Sequence, residues 1–291
     1  MVKSNLKEQK VIKKADLKVV DNNAVKTTAY SDINLKKWRE YDHIKTDTLW
    51  EFPNRLKEGG HSNEYHGNYI PQIAQQIYER YTKKNDIVLD LFFGSGTSGI
   101  EAINMGRRCI GVELKDELAE SVSEKFTPKQ LVTDVNIICA DSASEIAKEK
   151  IKARLDIMGA QKAQLLMLHP PYDDIIKFSD KKEDLSNCAT TEEFYDLFEK
   201  VAKNGYDLLE KGRFACLIIG DKYANSQHIP LGFECMARMN KLGFITKAII
   251  IKDMQGNERA KGKTANLWRY RALAGGFYIF KHEYVMVFQK G

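Results

Sequence analysis

Residues 86–113 read DIVLDLF, FGSGTSG, IEAINMG and, after two arginines, CIGVE: a short apolar run, a glycine-rich turn, a helical stretch ending at Gly106, and a second apolar run. Runs this short, rich in β-branched residues and leucine, predict buried strands. A helix between two such strands is the usual crossover that lays them parallel. The alternation continues along the chain. KDELAESVSEKF (115–126) predicts a helix, NIICADS (136–142) a strand and SEIAKEKIKARLDIM (144–158) a helix, and LLMLHPPY (165–172) predicts a strand that stops at a rigid turn. RFACLIIGD (213–221), ITKAIII (245–251) and EYVMVFQK (283–290) predict further strands. IPQIAQQIYERYT (70–82) carries Ile70, Ile73, Ala74, Ile77, Tyr78 and Tyr81 on one helical face with Pro71 suited to the start, and TTEEFYDLFEKVAKNGYDLLEKG (190–212) is a second amphipathic helix, capped by Thr190 or Thr191. Together these elements predict an α/β domain of βαβ units, its mostly parallel sheet covered on both faces.

Two regions stand apart. Residues 1–48 are polar and lysine-rich, and predict a basic N-terminal extension to a domain spanning 49–291. Residues 253–281 form a long insertion before the final strand. With 43% hydrophobic and 29% charged residues, the 291-residue chain has the make-up of an ordinary globular protein. No apolar run approaches the roughly 20 residues needed to cross a bilayer, and the N-terminus lacks the apolar core of a secretory signal, so a cytoplasmic protein without membrane contact is expected. The five cysteines lie far apart with no CxxC pair, which points away from a disulfide framework and from a metal site. Forty-five Lys and Arg against 40 Asp and Glu leave a net charge of +5, compatible with a nucleic-acid partner without requiring one.

Gly94 and Gly96 fall between strand and helix, where a missing side chain lets the backbone turn sharply and approach a ligand. Asp90, Glu113 and Asp141 fall at the ends of three successive strands, and so along the carboxyl edge where open α/β sheets bind ligands. Each alone is explained as a helix cap or a solvated strand end; three in succession suggest a ligand site. A carboxylate at Glu113 can accept both hydroxyls of a ribose. The loop lacks the GxxxxGK[ST] pattern of a phosphate cradle, so a nucleoside without a polyphosphate fits better.

Residues 66–82 (HGNYIPQIAQQIYERYT), 90–97 (DLFFGSGT), 111–114 (GVEL), 169–172 (HPPY) and 282–290 (HEYVMVFQK) occur in this order. The chain thereby resembles the S-adenosylmethionine-dependent DNA methyltransferases that modify exocyclic amines, N6 of adenine or N4 of cytosine. The resemblance runs from about residue 50 to residue 290. It implies a Rossmann-like, doubly wound, mostly parallel seven-stranded sheet with the last strand antiparallel, and S-adenosylmethionine as cofactor. Asn68, Tyr69, Asp90, Phe92, Gly94, Gly96, Thr97, Glu113 and Asp141 are the implied cofactor-side residues, and His169, Pro170, Pro171 and Tyr172 the implied catalytic motif. Trp50, Phe52 and Pro53 are expected either to flank the cofactor pocket or to cover core.

The catalytic motif has a physical logic. An exocyclic amine conjugated to its ring is a poor nucleophile, and acceptors that hold its hydrogens direct its lone pair toward the incoming methyl. The Pro170 carbonyl is one candidate acceptor, and Tyr172 is suited to stack on a base swung out of the duplex. His169 departs from the family, which has Asp, Asn or Ser there; an imidazole accepts only when neutral. A working variant, a base acting after transfer and a degenerate site stay open, the first favoured by the cofactor elements around it. Resemblance to the branch of the family with Ser before PPY, also nonacidic there, tilts the reading to cytosine N4 over adenine N6.

DNA is the expected partner, and a cognate restriction endonuclease is a candidate second partner. Arg259, Lys261, Lys263, Trp268, Arg269 and Arg271 of the insertion are candidate nucleic-acid contacts, with a solvated hairpin as the alternative. Residues 173–189 predict a lid or a plain connection. RNA or protein-glutamine methylation, and a catalytically dead nucleic-acid-binding fold, remain as other readings.

Overall fold

The computed structural model describes residues 27–61, 65, 67–254 and 265–291. Its centre is a sheet of eight strands: β1 (Leu49–Trp50), β2 (Ile87–Asp90), β3 (Arg108–Glu113), β4 (Val135–Cys139), β5 (Ala163–Leu168), β6 (Leu209–Ile219), β9 (Phe244–Asp253) and β10 (His282–Lys290). β7 (Lys222–Ala224) and β8 (Gln227–Ile229) form a separate hairpin. The sheet order is β1-β9-β10-β6-β5-β2-β3-β4, and only β10 runs antiparallel to its neighbours. The seven expected strands are therefore all present, and the two-residue β1 adds an eighth at the edge. The sheet is Rossmann-like, and its order reverses between β2 and β5, the place where open α/β sheets present a crevice.

Both faces are covered. Alternate residues of each strand point to opposite sides, so Ile87 and Leu89 pack on one face and Val88 on the other. The first face is covered by α5 (Glu145–Ile157), α6 (Thr191–Leu208) and α7 (Leu231–Lys241), through Ile151 and Leu155, Phe194 and Phe198, and Leu231 and Met239. The second lies under α1 (Pro71–Tyr81), α2 (Thr97–Asn104) and α3 (Asp116–Ser123), through Ile73 and Ile77, Ile100, and Val122. α4 (Pro128–Thr133) and α8 (Ala265–Gly275) complete the helices among the described residues. Among the described residues, no helix is long and apolar enough to cross a membrane.

Local chemistry accounts for several boundaries. α1 starts at Pro71, which needs no N–H partner, and α6 starts at Thr190, whose side chain accepts from Glu193 N. α2 ends before Gly106, whose φ of 70° suits a helix stop. Several elements had no sequence expectation, among them α7, α4 and the β7–β8 hairpin. α7 has Leu231, Cys235 and Met239 buried at helical spacing. α4 begins in a reciprocal cap between Thr127 and Gln130. The β7–β8 hairpin turns on Asn225 and Ser226, both at positive φ.

Residues 27–48 lie against the domain. Tyr30 packs edge-on to Phe214, Lys84 N donates to Asp32, and Gln76 exchanges hydrogen bonds with Lys45 N and the His43 carbonyl.

One ring shapes the site from below. A Cβ on Gly111 of β3 would sit 2.2 Å from the Phe93 ring, and one on Gly99 of α2 2.8 Å from it. The phenyl group fills the space that two glycines leave between strand and helix. Gly111→Ala is expected to cost about 1–3 kcal/mol by overpacking, read as a lower urea midpoint with an unchanged slope; wild-type stability would show that Phe93 has room to move.

Candidate active site

The glycine loop rests on a buried carboxylate. Asp90 ends β2, accepts from Phe92 N at 2.9 Å and accepts a short hydrogen bond from Ser98 Oγ on α2. Ser98 Oγ also meets the Tyr69 hydroxyl at 2.5 Å, and the Tyr78 hydroxyl donates to the Ser98 carbonyl at 3.1 Å. Burial raises the Asp90 pKa to about 6, against the lowering effect of the Ser98 and Phe92 hydrogen bonds. Gly94, at φ 52°, donates its N–H to Glu113 Oε2 at 2.9 Å, and Glu113 Oε1 accepts from Lys115 N. Burial raises the Glu113 pKa, opposed by these backbone N–H groups. Asp141 accepts from Ala143 N, and Asn68 Oδ1 accepts from Ser95 Oγ at 2.7 Å.

A cavity of about 600 Å³ opens at the carboxyl edge of the sheet. Asn68, Tyr69, Phe92, Gly94, Thr97, Glu113 and Asp141 line it, and so do His169, Pro170, Pro171 and Tyr172. The glycine bend and the proline turn, 75 residues apart from Gly94 to His169 (169 − 94), thus share one chamber. Asp90 and Gly96 lie behind its wall; Gly96, at φ 84°, precedes α2, and a Cβ there would meet Val122 at 2.7 Å. Phe52 and Pro53 line the cavity, whereas Trp50 is core.

Residues 173–189 close one side. Ile175, Ile176, Phe178, Asp184 and Leu185 face the chamber. Lys181 Nζ ties the segment across to Asp116 and to the Leu114 carbonyl, both at 2.7 Å.

The floor near the proline turn holds groups that the sequence did not single out. Lys252 on β9 and Glu283 on β10 are register partners, both buried, and their charged atoms lie 3.1 Å apart. The Tyr172 hydroxyl donates to Glu283 Oε2 at 2.8 Å, and His169 Nε2 lies 3.4 Å from that hydroxyl. Tyr69 meets the His169 ring edge-on at 5.3 Å between centroids. A charged residue closing one strand and another opening the next, on either side of the insertion, was the available signal.

Within the insertion, Arg259, Lys261 and Lys263 lie outside the described residues. Trp268 lines a second cavity of about 430 Å³ with Lys222, Tyr223, Phe277, Tyr278 and Ile175, and Ile175 also borders the first. Tyr223 and Phe277 stack at 4.6 Å, and Arg271 lies over the Trp268 ring at 5.3 Å. Arg269 and Arg271 are exposed.

Burial lowers the His169 pKa to about 4; Glu283 opposes this, while Lys252 and Arg55 reinforce it. The imidazole is therefore expected to stay neutral through the physiological range, and ring-proton NMR shifts should titrate only near pH 4. The stability consequence has a definite sign. The unfolded histidine takes up a proton near pH 6.5 and the folded one refuses it until about 4, so stability is lost as pH falls across that window. An NMR midpoint near 6.5 would contradict the assigned burial.

The chain is similar to several known proteins. The DNA methylase family model matches residues 3–124 and 163–291. The "Probable type III restriction-modification enzyme HindVI Mod subunit" of Haemophilus influenzae is 34% identical over 100 residues, 33% of this chain and 13% of that protein. The "Type II methyltransferase M.MjaII" of Methanocaldococcus jannaschii is 31% identical over 84 residues, 27% of this chain and 16% of that protein. The "DNA adenine methyltransferase YhdJ" of Escherichia coli is 32% identical over 112 residues, 38% of this chain and 35% of that protein. The matched segments therefore span about a third or less of these relatives' lengths. Among solved structures, TrmN from Thermus thermophilus aligns over 78% of this chain and 50% of its own, at 15% identity and a TM-score of 0.48. With the family model covering both the glycine-loop half and the proline-turn half, the chain belongs to the N6/N4 DNA methylase family.

Proposed function

We propose that this chain transfers a methyl group from S-adenosylmethionine to the exocyclic amine of a DNA base turned out of the duplex. The observation that carries the reading is the shared cavity, whose walls come from the glycine loop on one side and the HPPY turn on the other. Its volume of about 600 Å³ lies in the usual range for small-molecule sites.

The cofactor side fits a nucleoside with a charged tail. Gly94 exposes backbone where a side chain would project toward Tyr65, Glu113 offers carboxylate oxygens, and Phe92 and Tyr69 offer apolar contact. Glu113, Asp141 and the Gly94 backbone would hold the ribose and base of S-adenosylmethionine, which supplies an electrophilic methyl when bound. On the acceptor side, the chain positions the amine. Neutral His169 and the Pro170 carbonyl offer acceptors for its hydrogens, and Ile175, Ile176 and Met254 line the chamber with apolar surface. Holding two reactants at one distance and angle accounts for much of the expected acceleration.

The acceptor is cytosine N4 or adenine N6. The nonacidic residue at position 169 favours cytosine in this reading. The aromatic second cavity, with Arg269 and Arg271 beside it, is the proposed contact for DNA flanking the extruded base, together with Arg259, Lys261 and Lys263. Pairing with a restriction endonuclease is proposed from the printed name of the Haemophilus relative.

Radiolabelled methyl transfer to duplex DNA, followed by nucleoside analysis, tests the reading. Label is expected on N4-methylcytosine; label on N6-methyladenine would revise the base, and label confined to RNA or protein would remove DNA as substrate. Two substitutions should fail in different ways. Tyr172→Ala is expected to lower transfer on the order of 10²-fold with cofactor affinity intact, whereas Gly94→Trp fills the chamber and should abolish cofactor binding by calorimetry. Equal cofactor affinity in the two variants would contradict this map.

A further inference from the structure

We infer that Glu283 is a positioning residue for the transfer proposed above: anchored by Lys252, it commits the only Tyr172 hydroxyl proton and thereby fixes His169 as the Nε2–H tautomer, leaving Nδ1 as the acceptor for the target amine.

The inference follows from counting protons along a row of four side chains. Lys252 Nζ has donors only and approaches Glu283 Oε1 at 3.1 Å. Glu283 Oε2 accepts from the Tyr172 hydroxyl at 2.8 Å. A phenol has a single proton, so once that proton faces the carboxylate the oxygen can only accept from any further neighbour. The neighbour is His169 Nε2, at 3.4 Å. Nε2 must then carry the ring proton. In a neutral imidazole the other nitrogen, Nδ1, is left with the lone pair. His169 lines the cavity, so this lone pair belongs to a residue of the acceptor wall.

The row is well suited to hold such an arrangement. Lys252 and Glu283 sit opposite each other on neighbouring antiparallel strands, and both residues are more than nine-tenths buried. The Tyr172 ring is wedged against Gly220, where a Cβ would lie 2.9 Å from it. The Tyr69 ring, edge-on at 5.3 Å, limits rotation of the imidazole. The family's usual Asp, Asn or Ser at this position brings its own oxygen acceptor, whereas an imidazole accepts only when its proton is on the other nitrogen. The tautomer of a histidine here is biased by whatever its ring nitrogens meet, and Glu283, acting through Tyr172, reinforces Nε2–H.

Long-range ¹H–¹⁵N NMR of histidine-labelled full-length protein distinguishes the two tautomers. The chain has six histidines, and His169→Asn assigns the signal. The wild type should show Nε2–H. In Glu283→Gln the amide oxygen faces the Lys252 ammonium and the NH₂ faces Tyr172, which frees the phenol proton for Nε2; the tautomer should invert to Nδ1–H. Glu283→Asp should retain the wild-type pattern. In the transfer assay Glu283→Gln should lower kcat on the order of 10²-fold with KM for both substrates within about threefold, and Glu283→Asp should recover most of the loss. Should Glu283→Gln fail to fold, Tyr172→Phe serves, and there the two tautomers should coexist. An Nδ1–H wild type, or an unshifted tautomer in Glu283→Gln or Tyr172→Phe, would overturn the inference. A wild type with the Nε2–H signature and no methyl transfer would remove the proposed function while leaving the proton arrangement standing.

Discussion

The glycine bend depends on a buried carboxylate that has no cation against it among the described residues. Asp90 is held by one backbone N–H and one serine hydroxyl, and through that serine by two tyrosines of α1 and the segment before it. Removing a charge from water is costly unless hydrogen bonds replace the lost hydration. The network that supplies them joins β2, α1 and α2, so the bend between strand and helix cannot shift without leaving a donor or acceptor unmet. Phe93 adds a steric lock beneath the same bend. The glycine bend is thereby held from two sides, by the Asp90–Ser98 hydrogen bonds behind the cavity wall and by the Phe93 ring packed against Gly111 and Gly99.

The second half of the site depends on strand direction. Parallel strands deliver their last residues to the carboxyl edge, which is how Glu113 and His169 arrive there. β10 runs the other way and delivers its first residues to that edge, bringing Glu283 beside Lys252 at the end of β9. One reversed strand therefore places a buried ion pair under the proline turn, where a wholly parallel sheet would leave the register open.

Much of this was visible in the sequence, for identifiable reasons. The seven long strands announced themselves because strands buried on both faces read as continuous apolar runs, with glycine or proline at their ends. The glycine bend and HPPY were visible because their residue types are tied to local backbone geometry. The Lys252–Glu283 pair was not, since it exists only through cross-strand register between segments joined by a long insertion. Asp90 was noticed as an acid at a strand end, yet its inward orientation depends on Ser98 and Tyr69, which sequence spacing does not bring together. The Phe93 ring and Gly111 meet across a strand–helix gap that periodicity cannot measure. The helix α7 carried a readable apolar spacing, whereas the β7–β8 turn rests on Asn225 and Ser226 tolerating positive φ, a weak local preference.

The connection from β9 to β10 leaves and re-enters the sheet at one rim, with both anchoring ends fixed by strand pairing. Chain between those anchors can vary while Lys252 and Glu283 keep their cross-strand pairing. A surface segment hung on two paired strand ends is free to change in length and composition without disturbing the sheet that carries it.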